Sequence, residues 1–230
     1  MNGGTPAAVV PSAWIEMPHM GWDALTRSGT RTVRFDKGQT VFSQGQPVHH
    51  VHVVREGRIR LVLLSAAGHE KHMAIVGPNG LVGECAAFLD GRHSVTAIAS
   101  SDVVTQQVEL AQYKHCLESD PQSLRQAMWL VGVKLRVLAN QNLLLSQATA
   151  TQRVIHHLVQ LADTYGERTA DGVAIGIPFT HQEMANIAGL SRVMTSNVLA
   201  ELQAQGLIGK AGTHCVVRDL PALRTRTADV

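Results

Sequence analysis

Thr180-His-Gln-Glu-Met-Ala-Asn-Ile-Ala-Gly-Leu-Ser-Arg-Val-Met-Thr-Ser-Asn-Val-Leu-Ala-Glu-Leu-Gln-Ala-Gln-Gly-Leu-Ile208 decides how the rest of the chain is read. It scans as two short helices around a tight turn. Thr180 and Glu183 have the spacing of a capping box, in which each side chain satisfies a backbone amide at the helix start. Gly189 stands where the first helix must end and tolerates a left-handed conformation. Ser191 is a good N-cap for a second helix, and Val198 and Leu202 repeat at i, i+4. Small Ala185 lets the two helices approach. The second helix then offers Arg192, Val193, Ser196 and Asn197 from its first two turns, where side chains can reach base edges in a major groove. Thr180, His181, Ser191 and, further on, Lys210 complete the candidate DNA contacts. The same pattern also fits a helical hairpin packed in a core, so the flanking sequence has to decide.

After Ile208, residues 209–214 turn between two short strands, the second being Cys215-Val216-Val217. Two strands behind such a helix pair make a wing. Ahead of it, Gln152–Tyr165 reads as an amphipathic helix, 166–172 as a loop, and Val173–Pro178 as a short strand. The tail from Thr225 is polar and reads as disordered.

Upstream, the chain from Leu124 follows a seam: Leu124, Met128, Val131, Leu135, Leu138 and Leu145, with steps of 4, 3, 4, 3 and 7. Asn142 fills the gap at an a position, where a buried amide favours one in-register parallel pair. These residues predict a dimerisation helix opened by Asp120-Pro121. Trp129, Val133 and Val137 lie off the seam and suggest a second apolar face.

Before that helix the texture is that of strands. Short alternating runs (32–35, 40–42, 51–54, 58–63, 71–76, 94–99 and 103–108) are punctuated by Gly38, Gly45, Gly57, Gly68, Gly77, Gly80 and Gly91. This spacing predicts an antiparallel sandwich or barrel. A helical reading would place a glycine in nearly every helix, at about 1 kcal/mol each. Residues 110–117 form a brief helix. Ser12–Thr26 reads as one or two short helices behind a loose arm. The expected layout is α+β: arm and short helix 1–30, sensor barrel 31–119, dimerisation helix 120–148 and winged helix-turn-helix 149–230.

The 230 residues carry a formal charge of only +2, so any affinity for nucleic acid must come from where charges sit. The three cysteines, Cys85, Cys116 and Cys215, have no metal-ligand spacing and fit a reduced cytoplasmic protein without leader or membrane span. No nucleophile–base pair, phosphate loop or metal triad points to an enzyme. His156-His157 does not supply one, because adjacent helix residues do not face one site.

Barrel, long helix and winged helix in this order resemble the Crp/Fnr family of bacterial regulators, over about residues 33–223. The carrying stretches are Phe35-x-x-Gly38, Val41-Phe42-x-x-Gly45, Gly57-Arg58-Ile59, Gly83-Glu84 and the helix-turn-helix. The resemblance implies that the antiparallel β-barrel is a jelly-roll of the cyclic-nucleotide-binding kind, in a homodimer that reads a near-palindromic operator in double-stranded DNA, contacts RNA polymerase and answers a small effector. Its cyclic-nucleotide members hold the ribose with Glu and the phosphate with an Arg-Ser pair. Here Gly83, Glu84 and Ser94 match, but His93 stands in the Arg place and Arg92 one residue early. The Thr-Ser pair offered to adenine falls at Leu138 and Ala139. This degraded cassette argues against cAMP, although a cyclic nucleotide stays an alternative. No cysteine precedes Cys85, so the ligand count excludes the family's iron–sulfur cluster. Haem is a further alternative, through His49, His50, His52, His69 or His72.

A narrower resemblance is to the branch that senses halogenated phenols, through Gly68-His69-Glu70-Lys71, Gly80-Leu81-Val82-Gly83 and Lys134. It implies an effector that is a small organic anion beside Lys134, in a pocket also containing Gly83, Glu84, His93, Ser94 and Leu138. Read by the heptad alone, Lys134 is a solvated charge at g. The resemblance also implies base reading unlike that of the cAMP receptors. Arg192 matches their first Arg, whereas Val193 and Asn197 replace a Glu and a second Arg. Thr195 occupies a normally apolar place and leaves the helix register open by one residue.

Overall fold

The computed structural model describes residues 12–17, 20–27, 29–66 and 70–227. The expected arm at 1–11, and Gly68 and His69, lie outside them. The chain divides into two compact units, Ala13–Arg136 and one carrying Val137–Val230. The division falls inside the long helix, and residues 13–30 join the barrel unit instead of forming a separate segment.

The first unit begins with β1 (Trp14–Ile15) and α1 (Asp23–Thr26). The expected short helices at 12–26 are therefore a strand and a single turn. β1 pairs in parallel with β6, Trp14 opposite Ile75, which buries the indole within the barrel unit. The strands β2 (Arg31–Phe35), β3 (Thr40–Phe42), β4 (His50–Glu56), β5 (Ile59–Leu64), β6 (Glu70–Val76), β7 (Leu81–Val82), β8 (Thr96–Ala99) and β9 (Val103–Glu109) follow. They form two sheets, β1-β6-β5-β8-β3 and β2-β9-β4-β7. Their facing sides supply a core that includes Phe42, Val54, Ile59, Leu61, Val76 and Val82. Gly57 turns between β4 and β5 at φ +75°. A Cβ there would lie 2.0 Å from the Asp102 carbonyl oxygen, so glycine is required on both counts.

After β9 come α2 (Leu110–Ser119) and α3 (Pro121–Gln147). The Asp120 carboxylate caps α3 by accepting from the Gln122 and Ser123 amides. The α3 surface has two stripes. The seam residues Leu124, Met128, Val131, Leu135 and Leu145 are exposed, Met128 by 64% and Leu135 by 66%. Asn142 is exposed and Leu138 half-buried. The opposite stripe, Ala127, Leu130, Lys134, Val137, Gln141 and Leu144, is buried. Of the three residues expected on that face only Val137 is buried. Trp129 is 42% exposed and Val133 half-buried, because the inner stripe runs one residue later than the apolar letters suggest.

The second unit contains α4 (Ala150–Tyr165), β10 (Gly166–Thr169), β11 (Gly172–Ile175), α5 (His181–Ala188), α6 (Arg192–Ala204), β12 (Ile208–Ala211), β13 (His214–Val217) and α7 (Leu220–Thr225). Its sheet has the order β10-β11-β13-β12. The expected loop 166–172 is a strand and turn. Its Gly-Glu-Arg-Thr run is exposed throughout, so it has no alternation to mark it, and pairing with β11 holds it. Thr225, where a disordered tail was expected to begin, ends a helix, and residues 228–230 of that tail lie outside the described residues. Asp219 caps that helix by accepting from the Ala222 amide, with Pro221 in the first turn.

Candidate nucleic-acid interface and effector pocket

The helix-turn-helix is built as its letters ask. Thr180 Oγ1 accepts from the Glu183 amide (3.0 Å), and Glu183 Oε2 accepts from the Thr180 amide (2.8 Å). Gly189 takes φ 65°, ψ 44°, and the Leu190 amide closes on the Ala185 carbonyl at 2.9 Å. Arg153 of α4 donates to the Ala188 and Gly189 carbonyls, satisfying groups the helix end leaves free. Ser191 caps α6 by accepting from the Met194 amide at 3.1 Å.

Thr195 resolves the register of α6. It is fully buried beside Val198, Leu199 and Leu202, and its hydroxyl has no hydrogen-bond partner. With Thr195 inside, Arg192, Val193 and Asn197 are exposed, Val193 by 70%. Met194 is 48% exposed beside them. Sequence reasoning passed over it, and placing Thr195 inward is the signal that would have found it. Ser196 is half-buried and engaged by His181, with Nδ1 and Oγ 2.9 Å apart. These two predicted contacts therefore hold the start of α5 to α6. Burial, followed by the nearby Lys210 and Arg192 charges, lowers the His181 pKa. The neutral imidazole thus sits where two cations converge. Lys210 is exposed on β12, and with His181 it lines a cleft of about 220 Å³ between α6 and the β12–β13 hairpin.

The barrel unit carries a different site. Gly83 follows β7 at φ +93°, where a Cβ would meet the His50 carbonyl oxygen at 3.1 Å. Glu84 is buried, and its Oε1 accepts from Lys134 Nζ at 2.5 Å and from Cys85 Sγ at 3.0 Å. Lys134 also donates to the Leu81 carbonyl at 2.7 Å. It is not the solvated charge its heptad position suggests. Glu84 Oε2 is buried without a partner. His93 stacks on Phe42, with centroids 3.8 Å apart and planes 10° apart. Burial, followed by the field of His49, lowers the His93 pKa. Ser94 is exposed, and Arg92 points outward to the Gly45 carbonyl at 2.9 Å. The one-residue offset therefore does turn the guanidinium away. Gly83, Glu84, His93, Ser94 and Lys134 are brought together around a cavity of about 20 Å³, room for a single water. Leu138 belongs to the other unit.

The remaining candidates are dispersed. His52 is buried against Thr105 Oγ1 (3.1 Å), and its pKa falls to about 4, chiefly through burial. His50 lies 3.1 Å from Glu109, and His72 is buried beside Glu70 at 3.5 Å. Among the described residues no three His, Cys, Asp or Glu side chains gather as a metal site. Cys85 has exposed surface, but its Sγ packs against Glu84, and desolvation, followed by that carboxylate, pushes the thiol up to about 12. Burial raises Cys215 to about 11. No described helix is long and apolar enough to cross a membrane.

The cyclic nucleotide-binding domain family matches residues 32–120, and the Crp-like helix-turn-helix domain family matches residues 152–226. A CRP-like cAMP-activated global transcriptional regulator of Mycobacterium tuberculosis is 25% identical over 203 residues, covering 88% of this chain and 90% of that protein. The transcriptional activator protein anr of Pseudomonas aeruginosa is 27% identical over 197 residues, covering 86% and 80%. The structure of FixK2 from Bradyrhizobium japonicum superposes with a TM-score of 0.74 at 22% identity, covering 86% of this chain and 97% of that one. With barrel, long helix and winged helix in the same order, the chain belongs to the Crp/Fnr family of transcriptional regulators.

Proposed function

We propose that the chain works as a homodimer that reads a near-palindromic DNA operator, under control of a small organic anion rather than cAMP, and that it acts on transcription through RNA polymerase. The observation that carries this reading is the α6 surface, where Arg192, Val193 and Asn197 stand free of the core. Arg192 suits a guanine edge, Asn197 an adenine edge and Val193 a thymine methyl. The exposed heptad on α3 supports the dimer, since a soluble monomer rarely exposes so continuous an apolar stripe. Two recognition helices related by a two-fold axis then meet half-sites one helical turn apart.

The effector reading rests on the barrel pocket. Lys134 is a buried cation there, and His93 offers no fixed positive charge where a cyclic phosphate needs one. An effector that makes different contacts in two arrangements of the protein shifts the population able to bind DNA. Selection of binding sites from random duplex DNA, with sedimentation of the free protein, tests the first half. A monomer, or an operator without two-fold symmetry, overturns it. Thermal shift across phenols, benzoates and cyclic nucleotides tests the second half. A response to cyclic nucleotides alone overturns it.

A further inference from the structure

The cleft of about 220 Å³ between α6 and the β12–β13 hairpin is lined by Ser196, one residue from the exposed Asn197 and one turn from the exposed Arg192. No carboxylate lines it, and the fixed charge on its wall is Lys210. Arg192 adds its field from the start of α6. The Arg218 guanidinium lies against Gly209, which also lines the cleft, so that a Cβ there would be 2.8 Å from Nε. The acids of the neighbouring helices are engaged elsewhere. Glu183 of α5 accepts from the Thr180 amide and hydroxyl, Glu201 of α6 accepts from Gln205, and Asp163 of α4 pairs with Arg224. On α4, Arg153 is held by the Ala188 and Gly189 carbonyls, burial lowers the His156 pKa, and His157 is paired with Gln160. On β13, Cys215 is a neutral thiol, and His214 Nδ1–H donates to the Ile175 carbonyl at 3.1 Å.

His181 is the titratable group that the fold has already aimed here. Its Nδ1 lies 2.9 Å from Ser196 Oγ, which leaves Nε2 for a ligand. Burial, then the Lys210 and Arg192 charges, oppose charging the ring. The positive end of the α5 dipole opposes it too, since His181 is the first residue of that helix. A phosphate diester inverts this balance, because an anion within hydrogen-bond range favours the imidazolium. We propose that His181 takes up a proton when DNA binds and donates Nε2–H to a backbone phosphate at the mouth of this cleft, so that α6 is held in the groove more tightly as pH falls. This rests on the reading that α6 enters the major groove of DNA. The balance closes: each protomer gains one proton and faces one phosphate charge. Both ring nitrogens are then donors, so Ser196 Oγ accepts from Nδ1–H and its own proton turns towards the DNA. Lysine or arginine in this place would hold phosphate at every physiological pH, whereas histidine makes the grip conditional.

The test uses full-length protein and the duplex enriched from random DNA, at fixed ionic strength. From pH 8 to pH 6 the dissociation constant is expected to fall about tenfold per protomer, hence about a hundredfold for two copies on one duplex. The salt dependence of binding should steepen over the same range by about one phosphate per protomer. Calorimetry in buffers of different ionisation heat should count up to about one proton taken up per protomer. His181→Gln can still bond Ser196 but cannot titrate, and it should lose the pH dependence. His181→Lys should also lose it, while binding more tightly than His181→Gln. His214→Gln should keep the wild-type profile. A flat wild-type profile, proton uptake of zero, pH dependence unchanged in His181→Gln, or pH dependence lost in His214→Gln overturns the proposal while leaving DNA binding intact. If His181→Gln does not fold, the wild-type proton count and the His214→Gln profile decide. Absence of DNA binding at every pH overturns the DNA reading, and the proposal with it.

Discussion

Replacing Thr195 by Val should stabilise the protein, although it alters the centre of the helix-turn-helix. Thr195 is fully buried, and its hydroxyl has no partner. A buried hydroxyl without a hydrogen bond costs about 1–3 kcal/mol in proteins. Valine keeps the branched shape, and its helix propensity is nearly that of threonine, so little is lost in exchange. The expected gain is about 1–2 kcal/mol, at roughly 2–4 °C of Tm per kcal/mol for a chain of this size. Urea and thermal denaturation of both proteins read it directly. Thr195→Ser, which keeps the hydroxyl and drops a methyl, should move the other way. The side chain points inward, so operator preference should stay unchanged. A Thr195→Val protein less stable than the wild type would show that the hydroxyl is bonded. An altered base preference would show that Thr195 faces outward, and the register assigned to α6 would fall.

Arg192→Ala should relax preference at one base pair per half-site and cost about 1–3 kcal/mol there; equal loss on every sequence in a binding-site selection would make Arg192 a phosphate contact instead. Leu135→Asp should split the dimer by placing an unpaired charge in the seam, a cost of about 3–5 kcal/mol, read by sedimentation and by loss of operator affinity; an unchanged dimer would refute the seam. His52 makes stability depend on acid. Its imidazole protonates near 6.5 when unfolded but only near pH 4 when folded, so protonation favours the unfolded chain. Its contribution is complete above about pH 6.5 and fades by about 3 kcal/mol as pH falls to 4. A His52→Gln variant should lose that part of the pH dependence in urea titrations, and an identical slope would refute it. Gly57→Ala should destabilise by at least about 1–3 kcal/mol from its positive φ alone, before its clash with Asp102 is counted; an unchanged urea midpoint would contradict this.

Most of the second unit was legible because local rules wrote it. The capping box at Thr180, the left-handed Gly189 and the Ser191 cap each act within a few residues. Elements without a local signal were missed. The β10 strand is polar on both faces, and β1 is two residues long and exists only through its partner β6. The second face of α3 was misplaced by one residue because Trp129 and Val133 are apolar without being buried, whereas Lys134 and Gln141 are buried without being apolar. The candidate sites divide in the same way. Arg192, Val193 and Asn197 were legible from their place in the first two turns of α6, and the inward Thr195 fixes that they face outward. His181 and Ser196 were named separately, and only the fold joins them.

By itself the sequence determined the order of the elements, the helix-turn-helix with its caps, and the seam of α3, since periodicity and capping depend on neighbours within a turn or two. Tertiary structure decided the side of α6 that carries Thr195, and the fate of Lys134. Fifty residues separate Lys134 from Glu84, and no local pattern can show that a lysine at a flanking heptad position will find a buried carboxylate. Burial, not spacing, turned a presumed surface charge into half of a neutral pair, because a buried cation needs a nearby anion or carbonyl oxygen to replace the water it has lost.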